Sequence, residues 1–133
     1  MIKVLIHTDS RYPVNRKIIR QAILETFFKN KVGDLNAEIS VAVVGWRKMI
    51  NLSEKFLRDN QKHGVLAFAI EDAASRQEKG FINIPDGILR LGDVVLCWPY
   101  VLELAAVEDK MVDDEVYFLT AHGVEHLLGK HHE

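Results

Sequence analysis

The 133-residue sequence predicts an α+β fold, a small mixed β-sheet of about four strands with helices packed on it. Three observations predict it. Short β-branched runs alternate with longer segments whose apolar residues recur at helical spacing. The chain is long enough for one hydrophobic core and short for two, so residues 1–133 read as a single domain. Hydrophobic residues make up 48% and charged residues 27%, a balance that fits a globular domain and excludes a charge-rich disordered chain.

Residues 2–8 are apolar and β-branched and read as the first strand. Pro13 stands where a helix can begin, and Val14, Ile18, Ile19, Ala22, Ile23 and Phe27 then recur on one helical face. Gly33 and Asp34 mark a turn. Residues 38–44 alternate, with Ile39, Val41 and Val43 against Glu38, Ser40 and Ala42, as in a half-buried strand. Residues 48–59 carry Met49, Leu52, Phe56 and Leu57 at helical spacing, with Arg58 at the end. Residues 65–70 form a short strand after Gly64. Residues 73–90 are polar and contain Gly80, Pro85 and Gly87, which predicts a loop or weak hairpin. Residues 91–97 give another strand. Pro99 can open the next helix, with Val101, Leu102, Ala105 and Ala106 on its buried face. The last helix is expected to be capped by Asp113 or Asp114, with Glu115 favoured by its dipole and Gly129 as its stop.

The net charge of −2 excludes a protein that coats nucleic acid through bulk charge. The charges are nevertheless segregated. Arg47, Lys48, Lys55, Arg58 and Lys62 cluster in one segment, and acidic residues dominate 103–115. Such runs are usually solvated helix faces, and the functional reading is a basic segment turned toward an anionic substrate. Cys97 is the only cysteine, so neither an intramolecular disulfide nor a cysteine-based zinc site is available. It ends an apolar run and reads as core. The N-terminal apolar run is broken at His7 and Asp9, unlike a secretory signal, and the apolar stretch 94–102 is too short to span a bilayer. A cytoplasmic location without membrane attachment is expected.

The segment His122-Gly-Val-Glu-His126-Leu-Leu-Gly129-Lys-His-His132 carries the chemistry. His122 and His126 are four apart and share one helical face. Gly129 can end the helix in a left-handed conformation, so the chain can turn back and deliver His132. Three imidazoles can hold Zn2+ as a single ion and leave its fourth position to water, whose pKa then falls to about 7. Two histidines at this spacing are a weak signal alone, and the glycine and third histidine make it strong. Zinc peptidases with H-E-x-x-H carry a glutamate after the first histidine. Gly123 stands there instead. Glu125 reads as a solvated glutamate or a neighbour supporting a ligand, and His131 is a further candidate donor.

The segment resembles the H-G-x-x-H-x-x-G-x-x-H signature of the YbeY family of bacterial metal-dependent endoribonucleases. Asn51-Leu52 through Arg58 is similar to the family's Leu-Asn-x-x-x-Arg region. The segment His63-Gly64-Val65-Leu66-Ala67-Phe68 resembles its Thr-Asp-Val-Leu-Ser-Phe strand, and Leu91-Gly92-Asp93 with the apolar residues after it resembles its Leu-Gly-Asp-Ile strand. The blocks follow the family's order. The resemblance implies zinc held by His122, His126 and His132, with Arg58 as the functional arginine. It further implies single-stranded RNA as substrate, a role in 16S rRNA 3′-end maturation and ribosome quality control, and no DNA partner. The departures are His63-Gly64 for Thr-Asp, Ala67 for serine, and Lys130-His131 for the usual Tyr-Asp. The family pattern also continues beyond the third histidine, whereas this sequence stops at Glu133. His63 is a candidate acid or base, and Trp46, Phe68, Trp98 and Tyr100 are candidate stacking surfaces, although each residue type is more often core. Two other readings stand beside the nuclease: a metallohydrolase of another class such as a peptidase, and a non-enzymatic ribosome-associated protein with a structural or degenerate metal site.

Overall fold

The structure, a computed structural model, describes residues 1–70 and 87–129. The elements run β1 (Ile2–Thr8), α1 (Arg16–Lys29), β2 (Ala37–Val44), α2 (Trp46–Leu52), a π-helical turn (Ser53–Leu57), β3 (Val65–Ala69), β4 (Leu89–Cys97), α3 (Trp98–Val107) and α4 (Val112–Leu127). The sheet has four strands in the order β1-β2-β4-β3. The β1–β2 and β2–β4 pairs are parallel, and β3 runs antiparallel to β4. The expected α+β class and mixed sheet are therefore present.

The period-2 pattern of β2 decides how the layers form. Ile39, Val41 and Val43 are fully buried on one face, while Glu38, Ser40, Ala42 and Val44 are half-buried on the other. The first face carries the main core. Ile19, Ile23 and Phe27 of α1 and Val116 and Val124 of α4 pack there against Ile39, Val41, Val94 and Leu96. The second face is covered over one part only, where Met49 of α2 meets Leu66, Val95 and Cys97. Cys97 is buried, and desolvation pushes its thiol above the usual range, as core packing requires.

Local chemistry explains most boundaries. Asn15 caps α1 by accepting from the Lys17 N–H at 3.1 Å, and its side-chain amide donates to Asp113 at 3.1 Å, which ties α1 to α4. Pro99 sits in the first turn of α3, as expected. Gly129 follows α4 at φ +85°, the left-handed stop its position predicts.

Four expectations need correction. Met111, not Asp113 or Asp114, is the N-cap of α4; both aspartates lie inside the first turn, where they favour the dipole without capping. Leu102 and Ala106 are exposed on α3, because its buried stripe passes through Trp98, Val101 and Ala105. The helix expected over 48–59 is α2 followed by the π turn. β4 begins at Leu89, so the end of the predicted 73–90 loop is strand; residues 71–86 lie outside the described residues.

Among the described residues Glu115 is the one buried acidic side chain, 1% exposed. Its Oε1 lacks a hydrogen-bond donor and stands 3.9 Å from the Lys110 ammonium. Burial, with Glu108 beside it, pushes its carboxyl above the usual range despite Lys110. Folding thus favours the protonated form. Wild-type stability falls as pH rises from the unfolded-state value of about 4.3 through the higher folded one, and the full penalty is present at neutral pH. Glu115→Gln should melt at a higher temperature than wild type at pH 7.5, with the gain vanishing near pH 4 in parallel thermal melts.

Candidate functional site

Helix α4 fixes the histidine pair. Val116, Leu119, Val124 and Leu127 bury one stripe against the sheet and α1, which turns His122 and His126 outward. His122 is exposed and His126 half-buried. Their Nε2 atoms are 3.0 Å apart and their rings stand edge to face at 4.5 Å. Two nitrogens each about 2.05 Å from a tetrahedral zinc ion lie roughly 3.3 Å apart. The pair therefore fits a shared ion with an adjustment of a few tenths of an ångström. Phe118, one turn earlier, lies nearly parallel to the His122 ring at 6.3 Å and steadies it. Among the described residues no third histidine, cysteine or carboxylate joins the pair. His131 and His132 lie outside the described residues.

Gly123 shows why the peptidase pattern is absent. A Cβ there would stand 2.8 Å from Val94 Cγ1 and 3.2 Å from Val65 Cγ2. The position faces the sheet, so a glutamate following the first histidine would be driven into the core and away from the imidazoles. Glu125 is half-buried and forms no ion pair among the described residues.

Arg58 has an unusual backbone. It closes the π turn at φ 57° and ψ 35°, the left-handed region that L side chains seldom occupy. A partly buried network holds it there. The Ser53 hydroxyl bonds the Asp59 carboxylate and lies 3.0 Å from the Asp59 carbonyl, across the turn. Asp59 Oδ1 also accepts from the Gln61 N–H at 3.1 Å and meets His63 Nε2 at 3.1 Å. Ser53 first, then His63, hold the Asp59 carboxyl below the usual carboxylate range. His63 thus pins a turn. The trio is no nucleophilic relay, because the serine bonds the aspartate and not the imidazole. The Arg58 side chain is exposed and pairs with no described carboxylate. Arg58→Gly should relieve the left-handed conformation and raise stability by about 1 kcal/mol in urea melts. A residue kept there for its side chain predicts this gain; one kept for folding predicts a loss.

The basic segment is exposed at Arg47, Lys48, Lys55, Arg58 and Lys62, and Lys62 reaches Glu103 of the acidic segment at 3.4 Å. Of the expected stacking residues, Trp98 is buried in the core. Trp46 and Tyr100 pair with each other at 5.3 Å beneath the Lys62 ammonium, where α2 meets α3. Phe68 instead pairs with Phe56 of the π turn at 5.0 Å, and Phe56 is 54% exposed. Phe56 keeps helical spacing with Met49 and Leu52 but lies in the π turn, exposed. No helix among the described residues is long and apolar enough to cross a membrane.

Comparison with known proteins agrees with the resemblance in the sequence. Endoribonuclease YbeY of Roseiflexus castenholzii is 29% identical over 120 residues, covering 90% of this chain and 72% of the relative. Endoribonuclease YbeY of Caldicellulosiruptor saccharolyticus is 30% identical over 135 residues, covering 98% and 85%. The solution structure of the Thermotoga maritima protein TM1509 shares the fold, with a TM-score of 0.57 and 21% identity over the whole of this chain and 75% of that one. Residues 7–133 match the family described as Endoribonuclease YbeY, and the chain belongs to that family.

Proposed function

We propose that the chain is a zinc-dependent endoribonuclease that cleaves single-stranded RNA in 16S rRNA 3′-end maturation and ribosome quality control, in the cytoplasm. The observation that carries the reading is the pair of outward Nε2 atoms 3.0 Å apart on a chain of the YbeY family. His122 and His126 would hold one zinc ion, with His132 as the third donor. The ion, when bound, supplies Lewis acidity toward a phosphoryl oxygen and lowers the pKa of water. The chain's own residues do the rest. Arg58 offers a planar guanidinium, free of described carboxylates, that can grip two phosphate oxygens and stabilise charge as the phosphodiester breaks. The Ser53–Asp59–His63 network keeps that guanidinium at the end of a fixed turn. Lys48 and Lys55 add positive potential for the RNA backbone.

The test is cleavage of a labelled single-stranded RNA by protein freed of contaminating ribonuclease. Chelation should abolish cleavage and zinc restore it. Arg58→Ala should lower kcat about a hundred-fold, and Arg58→Lys should recover little of it because the two-pronged grip is lost. Cleavage that survives both chelation and Arg58→Ala sinks the proposal. Ribosome co-sedimentation without metal or cleavage would instead favour a binding role.

A further inference from the structure

The uncovered part of the second sheet face forms a groove of about 360 Å³. Its size falls within the range of small-ligand sites. The π turn and β3 supply its aromatic wall, Phe56 and Phe68. Its floor is polar. The strand register sets Asp93 of β4 directly between Ser40 of β2 and Phe68 of β3. Adjacent strands lie about 4.8 Å apart, so these three side chains form one contiguous row. His7 of β1 and Lys48 of α2 complete the polar lining. The Asp93 carboxylate has no hydrogen-bond or ion-pair partner among the described residues.

We propose that this groove is a seat for one unstacked nucleobase of the RNA and that it selects guanine. The inference rests on the RNA reading above. The aromatic wall offers a stacking surface to any base. Asp93 makes the choice. An ionised carboxylate only accepts hydrogen bonds, and its two oxygens match two adjacent N–H donors. Guanine carries such a pair on its Watson–Crick edge, at N1 and N2. Adenine and cytosine would set a ring-nitrogen lone pair against the carboxylate, and uracil's single N–H lies between two carbonyls. Lys48, His7 and Ser40 can donate to guanine O6 or N7, which are acceptors. The groove also lies beside the arginine, because Phe56 precedes Arg58 by two residues in the same turn. A base held there brings its own phosphate toward Arg58. The residues at Phe68 and Asp93 belong to the two strand blocks of the sequence that the histidine site leaves unused.

The experiment is NMR titration of the zinc-loaded protein with guanosine, adenosine, cytidine and uridine, repeated under chelation so that binding of guanine N7 to zinc is separated from binding in the groove. Guanosine should bind about ten-fold tighter than the other three and shift the ring protons of Phe56 and Phe68. Asp93→Asn should weaken guanosine about ten-fold and level the four affinities. Phe56→Ala should weaken all four. Equal binding of the four nucleosides by wild type, or shifts confined to surfaces away from the groove, overturns the proposal. If RNA is cleaved but no guanosine preference exists, the base seat falls and the nuclease stands. If guanosine binds in the groove and no RNA is cleaved, the seat stands and the nuclease falls.

Discussion

Gly92→Ala should leave little folded protein. Gly92 sits in β4 at φ +139°, a backbone region that side chains rarely adopt. It lies where the β2–β4 register shifts: Glu38 pairs with Arg90, and Ile39 with Gly92, so Leu91 is the extra residue of a bulge. A Cβ at Gly92 would stand 2.1 Å from the Phe68 carbonyl oxygen and 2.9 Å from Ala69 Cα. Both are backbone atoms of β3, so neither can turn aside as a side chain could. Relief requires β3 to leave β4, which opens the sheet edge. The loss should exceed about 4 kcal/mol, a large share of the 5–15 kcal/mol typical of a domain. Gly87→Ala is the control. Gly87 also has positive φ, at 70°, but no described atom lies within 4 Å of its absent Cβ. Its alanine variant should lose only about 1 kcal/mol, the conformational part alone. Urea melts of the two variants separate the effects. A Gly92→Ala protein as stable as Gly87→Ala would show that β3 does not approach β4 as described.

The same bulge explains what sequence could and could not reveal. Elements whose burial follows one local period were legible. The alternation in β2 and the helical stripe of Ile19, Ala22, Ile23 and Phe27 each announce one buried face. The outward face shared by His122 and His126 is equally local, since helix geometry alone brings residues four apart together. The π turn was not legible, because its shape depends on Ser53 reaching Asp59 rather than on apolar spacing. A serine six residues before an aspartate, both flanking an arginine, was the available signal. The groove was hidden for a different reason. Ser40, Asp93 and Phe68 come from three strands, and they meet only because β4 inserts between β2 and β3. Asp93 looked like the polar member of an apolar strand. The bulge at Leu91 and Gly92 lets Arg90, which pairs with Glu38 at 3.5 Å, and Asp93 share one face despite their odd separation. The cap of α4 differs because Asp113 and Asp114 favour the dipole from inside the first turn, and Met111 takes the cap position by backbone conformation alone.

His122→Ala and His126→Ala should each remove zinc without unfolding the chain. The 3.0 Å contact between the imidazoles permits two roles, a hydrogen-bonded surface pair or two donors to one ion. The roles differ in magnitude and in dependence on zinc. As a neutral hydrogen bond with one ring exposed, the pair contributes at most about 1 kcal/mol, and its loss would show equally with and without metal. As ligands, the imidazoles link stability to zinc. Wild type at a free zinc concentration one hundred times its Kd should gain about 2.7 kcal/mol over chelated protein. Removing one nitrogen donor should weaken zinc at least about a hundred-fold, since even outer partners of ligands are worth 10–100-fold. Each alanine variant should then keep the chelated stability of wild type to within about 1 kcal/mol and lose most of the zinc-dependent gain. RNA cleavage should fall in step with zinc occupancy and return in part at high zinc. Gly123→Glu offers no rescue as a general base, because that side chain meets Val94 and Val65 rather than the imidazoles. Alanine variants that retain the full zinc-dependent rise in melting temperature would show that the two histidines do not hold the metal and that the ion is held elsewhere.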